Sequence, residues 1–183
     1  MKTIDQLIDE VIAREGDFSD HPADRGGPTR FGITEQVARA NGYTGDMKVF
    51  PRDRALAIYR STYWTRPAFD QVASVSALVA AELFDTGVNM GVSVAAGFLQ
   101  RALNVLNRGA VDYPDLKADG QIGPVTIYAL RQFVAKRGAA GAVVLVKALD
   151  ALQGERYIAL AESRPANKAF VYGWLSGRLG QAA

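Results

Sequence analysis

The chain has 183 residues, 49% of them hydrophobic and 22% charged, which is enough for a full core without staples. Twenty-one basic residues against nineteen acidic give a net charge of +2, far from the footprint of a dedicated nucleic-acid binder. The lack of cysteine excludes disulfides, thiolate nucleophiles and thiolate metal sites, and a single histidine, His21, excludes a histidine-rich metal cluster.

The N-terminus has no apolar run of signal-peptide length before Asp9 and Glu10, and no segment reaches the ~18 uninterrupted apolar residues of a membrane span. The expected product is therefore cytoplasmic when synthesised.

Thr3-x-x-Gln6 reads as a capping box opening a first helix. Ile4, Leu7, Ile8, Val11 and Ile12 supply its apolar stripe, and Gly16 is a natural stop. The segment from Glu15 to Thr34 then holds three aspartates, four glycines and two prolines, the composition of a shaped loop. Within it Arg30 to Ile33 predicts a short strand and a small hairpin. Thr34 is an N-cap for a short helix, Glu35 to Ala40, ended by Asn41-Gly42. Pro51 opens a third helix expected to run to about Tyr63, where Arg66-Pro67 breaks it.

Ser76 to Met90 has few charges and predicts a central helix buried nearly all round, with Glu82, Asp85 and Asn89 as exceptions. Gly91 ends it, and Val94 to Leu106 forms the next helix. Asn107 to Gly123 is turn-rich. Pro124 starts a further helix, Gly138 and Gly141 bracket a break, and a long helix runs from Val143 to about Ala161. A last segment, Phe170 to Leu179, carries Trp174. The architecture expected is mainly α, with a small β-hairpin or short strands near the N-terminal loop.

Glu15 stands at the C-terminal end of the first helix, where the macrodipole disfavours a carboxylate. Eight residues separate it from Asp24 across the loop. Paired carboxylates are the usual apparatus of glycoside hydrolysis, one protonated to donate to the leaving oxygen and one to activate water or stabilise positive charge. The helix end and the nearby Asp17 would both raise the pKa of Glu15, as a general acid requires. Thr29 offers a hydroxyl to position water. Against this, Asp17, Asp20 and Asp24 are also ordinary turn-capping residues. His21, alone before Pro22, reads as surface. No serine has a Gly-x-Ser-x-Gly context, and Arg25-Gly26-Gly27-Pro28-Thr29 is neither a P-loop nor a dinucleotide fingerprint. Tyr63-Trp64 and Phe69-Asp70 are either a sugar-stacking rim or core.

Glu15-Gly16 followed by Pro22-Ala23-Asp24-x-Gly26-Gly27-x-Thr29-x-x-Gly32-Ile33-Thr34 resembles the signature of glycoside hydrolase family 108, the peptidoglycan N-acetylmuramidases of phages and bacteria. Tyr63-Trp64, Phe84-Asp85-x-x-Val88-Asn89-x-Gly91 and Leu99-Gln100 continue the match in order. Asp119-Gly120-x-Ile122-Gly123-Pro124-x-Thr126 is similar to the peptidoglycan-binding region that follows in that family. The Glu, Asp, Thr order is also similar to phage-type lysozymes, although the gap from Asp24 to Thr29 is one residue shorter here. Asp17 replaces the glycine more usual in the family.

The resemblance implies a lysozyme-like fold and cleavage of the β-1,4 bond between N-acetylmuramic acid and N-acetylglucosamine, with Glu15 as general acid. Asp24 and Thr29 are the other catalytic candidates, and Tyr63, Trp64, Asp85 and Asn89 the candidate substrate contacts. It implies a muramidase region over 1–91 and a helical peptidoglycan-binding region over 92–183, packed as one compact unit. The expected protein is a monomeric phage or prophage endolysin that needs no metal or cofactor and reaches the wall through a holin. Two alternatives remain: a non-catalytic wall-binding or secretion-accessory protein on the same scaffold, or a lytic transglycosylase.

Overall fold

The computed structural model describes residues 2–15, 17–19 and 27–180, with Glu15 described for its backbone alone. The expected stop at Gly16, together with His21 and Asp24, lies outside the described residues. The chain is mainly α-helical with one small sheet, and it divides into two compact units, Met1–Thr65 and Arg66–Ala183. No described helix is long and apolar enough to cross a membrane.

In the first unit, α1 (Ile4–Glu15) opens with the reciprocal capping box. Gln6 N donates to Thr3 Oγ1 at 3.3 Å, and Thr3 N donates to Gln6 Oε1 at 2.8 Å. Its stripe residues Ile8, Val11 and Ile12 are buried, and the helix packs on α3 (Arg52–Arg60). Three two-residue strands, β1 (Phe18–Ser19), β2 (Thr29–Arg30) and β3 (Ile33–Thr34), form an antiparallel sheet in that order. Phe31 and Gly32 join β2 to β3 with φ of 54° and 75°, the two left-handed residues that a tight hairpin matched to strand twist requires. The Arg30 guanidinium lies 4.9 Å from the Phe31 ring centre and covers it. Thr34 caps α2 (Glu35–Ala40) by accepting from Val37 N at 3.3 Å. The third helix departs from the expected run to Tyr63. It is α-helical to Arg60, then widens into a π-helical turn over Ser61–Thr65.

The second unit is built on α5 (Ala77–Met90), which packs against α4 (Phe69–Ala73), α6 (Val92–Val105) and α7 (Pro124–Ser163). The two helices expected after Pro124 are present, separated by a kink at Gly138, whose φ of 63° and ψ of −161° leave the helical region; α7 covers both. α8 (Lys168–Arg178) packs back on α7. Phe69, one of the aromatics that sequence left between rim and core, is fully buried beside Gly87, where a Cβ would come within 3.1 Å of the Phe69 ring.

Three amides on one side of α6 and its end hold the long irregular stretch before α7. Gln100 donates through Nε2 to Asp119 Oδ1 and to the Gln121 carbonyl, both at 2.9 Å, and accepts from Gly120 N at 2.9 Å. One turn on, Asn104 exchanges two bonds with the backbone of Leu116, at 2.8 and 2.7 Å. Asn107, fully buried, donates to the Tyr113 carbonyl and accepts from Asp112 N and Tyr113 N. The Asp119-Gly120 motif is thus engaged in holding its own loop. Gly120 has φ of 73°, and a Cβ there would sit 2.7 Å from the Ser93 carbonyl oxygen.

Gln100→Ala leaves the Gly120 amide and the Gln121 carbonyl without their side-chain partner, while Asp119 keeps its bond from Gln121 N, and should cost about 1–3 kcal/mol in denaturant unfolding. Gly120→Ala should destabilise through both its backbone angle and the collision with Ser93.

Candidate functional site

Glu15 is the last residue of α1, as its sequence position requires, and β1 begins three residues later. The hairpin that follows is fixed to this helix end by backbone. Phe31 N donates to the Asp17 carbonyl at 3.0 Å, and Ser19 pairs with Thr29. That pairing sets Ser19 beside Thr29, the described residues on either side of the segment that contains Asp24, which itself lies outside the described residues. Thr29 is half-buried on β2, and its hydroxyl donates to the Gly27 carbonyl at 3.3 Å. With its proton so directed, the Thr29 oxygen presents lone pairs to a donor such as water.

Asp17 is exposed, and Arg30 Nε meets its carboxylate at 3.1 Å. The negative charge expected to act on Glu15 is therefore opposed by a guanidinium and screened by solvent. Tyr63 and Trp64 lie on the π-helical turn and are half-buried, with the Tyr63 ring 5.7 Å from that of Tyr59. Single π turns recur at functional sites because they displace side chains from the regular helical positions.

Asp85 and Asn89, four apart on α5, are brought together in the second unit. Asn89 Nδ2 donates to the Asp85 carbonyl at 2.8 Å and to its carboxylate at 3.1 Å. Arg178 of α8 reaches the same carboxylate at 3.4 Å. Beneath them lies Glu82, which is only 3% exposed. Burial, and then the charges of Asp150 and Asp85, push the Glu82 carboxyl up to about 8, against a smaller lowering by the Thr86 hydroxyl. A carboxylic acid protonated at neutral pH is what general acid catalysis needs. Glu82 is nonetheless sealed from any polymer substrate, so its protonation is a property of the core.

Arg156, Trp174 and Arg178 had no motif to single them out in sequence. The three line one cavity where α7 and α8 pack together, and the one available signal was an aromatic, Trp174, in a short C-terminal helix. Among the described residues no group of three or more histidine, aspartate or glutamate side chains could hold a metal ion.

Residues 8–91 match the family model described as glycosyl hydrolase 108, and residues 94–179 match one described as a predicted peptidoglycan domain. The fold is shared with the solved structure of Brucella abortus SagA at a TM-score of 0.56 and 23% identity, over 94% of this chain and 95% of that one. No curated protein matches the chain significantly. The junction of the two compact units, at residues 65 and 66, falls inside the first matched region.

The Glu82 environment makes stability depend on pH. Unfolded, this carboxyl titrates near 4.5, and folded near 8, so between those values the unfolded chain releases a proton that the folded chain keeps. Its contribution is whole below pH 4.5 and is lost towards pH 8, at about 1.4 kcal/mol per pH unit. Glu82→Gln should therefore raise Tm over the parent by a margin that widens from pH 5 to pH 8 in calorimetry.

Gln153 is fully buried, and neither polar atom of its side chain has a partner among the described residues. Gln153→Met should raise unfolding stability by about 1–2 kcal/mol.

Proposed function

For a chain that belongs to the glycoside hydrolase 108 family over its first half and carries a predicted peptidoglycan domain over its second, we propose hydrolysis of the β-1,4 bond between N-acetylmuramic acid and N-acetylglucosamine. It is a glycoside hydrolase, and peptidoglycan is its substrate. The observation that supports the finer reading is Glu15 ending α1 directly before the small sheet whose strand β2 bears Thr29.

In this reading Glu15 is the general acid. The carbonyl end of α1 opposes its ionisation, so the carboxyl keeps its proton until the glycosidic oxygen takes it. Positive charge then grows on the muramic acid ring, and a water attacks its anomeric carbon. Asp24 supplies the second carboxylate to that water or to the ring charge. Thr29, with its own proton directed at Gly27, accepts a hydrogen bond from the water and orients it. Tyr63 and Trp64 offer faces for the sugars, and Asp85 with Asn89 offers polar contacts within the second unit. The division of labour we favour gives the chemistry to 1–91 and wall recognition to 92–183. The proposed setting is a monomeric phage or prophage endolysin that meets the wall once a holin has opened the membrane.

Digestion of purified cell wall, with mass spectrometry of the muropeptides, tests the reaction. Products ending in reducing N-acetylmuramic acid are expected. Anhydro-muramic ends would make the protein a lytic transglycosylase, and wall binding with no release would make it a binding protein. Glu15→Gln should lower the rate by roughly 100-fold or more, and Thr29→Ala by less. Full activity in Glu15→Gln would remove that residue from the mechanism.

A further inference from the structure

A cavity of about 340 Å³ opens on the second unit among α5, α7 and α8. Asn89 contributes to it from α5, Arg156 and Tyr157 from α7, and Trp174 and Arg178 from α8. Its aromatic wall is braced on both helices, because the Tyr157 and Trp174 rings are 5.3 Å apart and Phe170 stacks on Trp174 at 6.2 Å. Arg178 is shared with Asp85. Arg156 is exposed and has no carboxylate partner among the described residues. The Asn89 amide group is spent on Asp85, which leaves its Oδ1 to accept from a ligand N–H.

With Arg178 paired to Asp85 and Arg156 unpaired among the described residues, the cavity keeps a positive charge beside its aromatic wall. Guanidinium groups bind carboxylates through paired, charge-assisted hydrogen bonds, and an adjacent aromatic face favours an aliphatic or methyl-bearing portion of the same ligand. At this size the cavity is at the small end of ligand sites, suited to a few residues rather than to a run of sugars.

We propose that this cavity binds the acidic stem peptide of peptidoglycan, with Arg156 taking a stem carboxylate, Asn89 accepting a stem amide N–H and Trp174 packing on its aliphatic part. The assignment rests on the part of the proposed function that makes peptidoglycan the polymer this chain meets, and not on its cleavage. It makes the carboxylate-bearing stem, and not bare glycan, the part that the second unit recognises.

Isothermal titration of the full chain with N-acetylglucosaminyl-N-acetylmuramyl tetrapeptide tests this. That disaccharide lacks the muramyl–glucosaminyl bond, so the active protein cannot consume it and binding is read apart from hydrolysis. Arg156→Ala should weaken binding roughly tenfold, and Arg156→Glu further. Circular dichroism establishes that each variant is folded, and Arg156→Lys should recover part of the affinity. The N-acetylglucosamine dimer should bind weakly and be indifferent to residue 156. Wild-type affinity in Arg156→Glu, or equal affinity for the dimer and the tetrapeptide ligand, would overturn the proposal. So would equal affinity for the same disaccharide without its peptide, since recognition would then belong to the free lactyl carboxylate. A wall digest without muramidase products, beside stem binding that still depends on Arg156, would defeat the hydrolytic reading and leave this one standing.

Discussion

Burial of α5 is the constraint on which the second unit depends. Val79, Ala80, Leu83 and Phe84 are all at or below 1% exposure, so helices pack on this one from several sides. A glutamate at position 82 is then carried into the core, where the loss of water, and then the field of Asp150 and Asp85, push its carboxyl up to about 8. Only the strip through Asp85 and Asn89 stays half-buried, and that strip is where polar side chains meet Arg178. The same packing that stabilises the helix decides which of its polar residues can meet a ligand.

The first unit solves a different problem with little sheet. Strands of two residues contribute few hydrogen bonds, and isolated hairpins of that size are not stable in water. This hairpin is held because Phe31 N bonds back to Asp17 and Arg30 spans from Asp17 to the Lys48 carbonyl. The helix end at Glu15 and the strand carrying Thr29 are thereby joined through the first residues after α1.

The irregular stretch before α7 is held by side-chain amides as well as by the buried side chains of Tyr113 and Leu116. Gln100, Asn104 and Asn107 each donate and accept, so backbone groups of Asp112, Tyr113, Leu116, Gly120 and Gln121 find partners without regular structure. Motif residues in Asp119 to Thr126 acquire a concrete role here, since Gln100 Nε2 also reaches Thr126 Oγ1 at 3.4 Å. Their pattern in sequence reflects the geometry of that clasp.

Local rules in the sequence determined the helix starts at Thr3, Thr34 and Ser76, because a cap needs only a side-chain oxygen and the next few backbone amides. The break at Gly138 follows from backbone freedom at a single glycine, whereas the hairpin at Gly32 also holds Phe31 in the left-handed region. The ordered motifs from Glu15 to Thr126 likewise carried the family. Tertiary structure alone decided the rest. The switch from α to π geometry after Arg60, the burial of Phe69 and the protonation of Glu82 depend on what packs against each residue. The meeting of Arg156, Trp174 and Arg178 with Asn89 is of the same kind. Those partners are distant in the chain, and sequence spacing contains no record of which faces will meet.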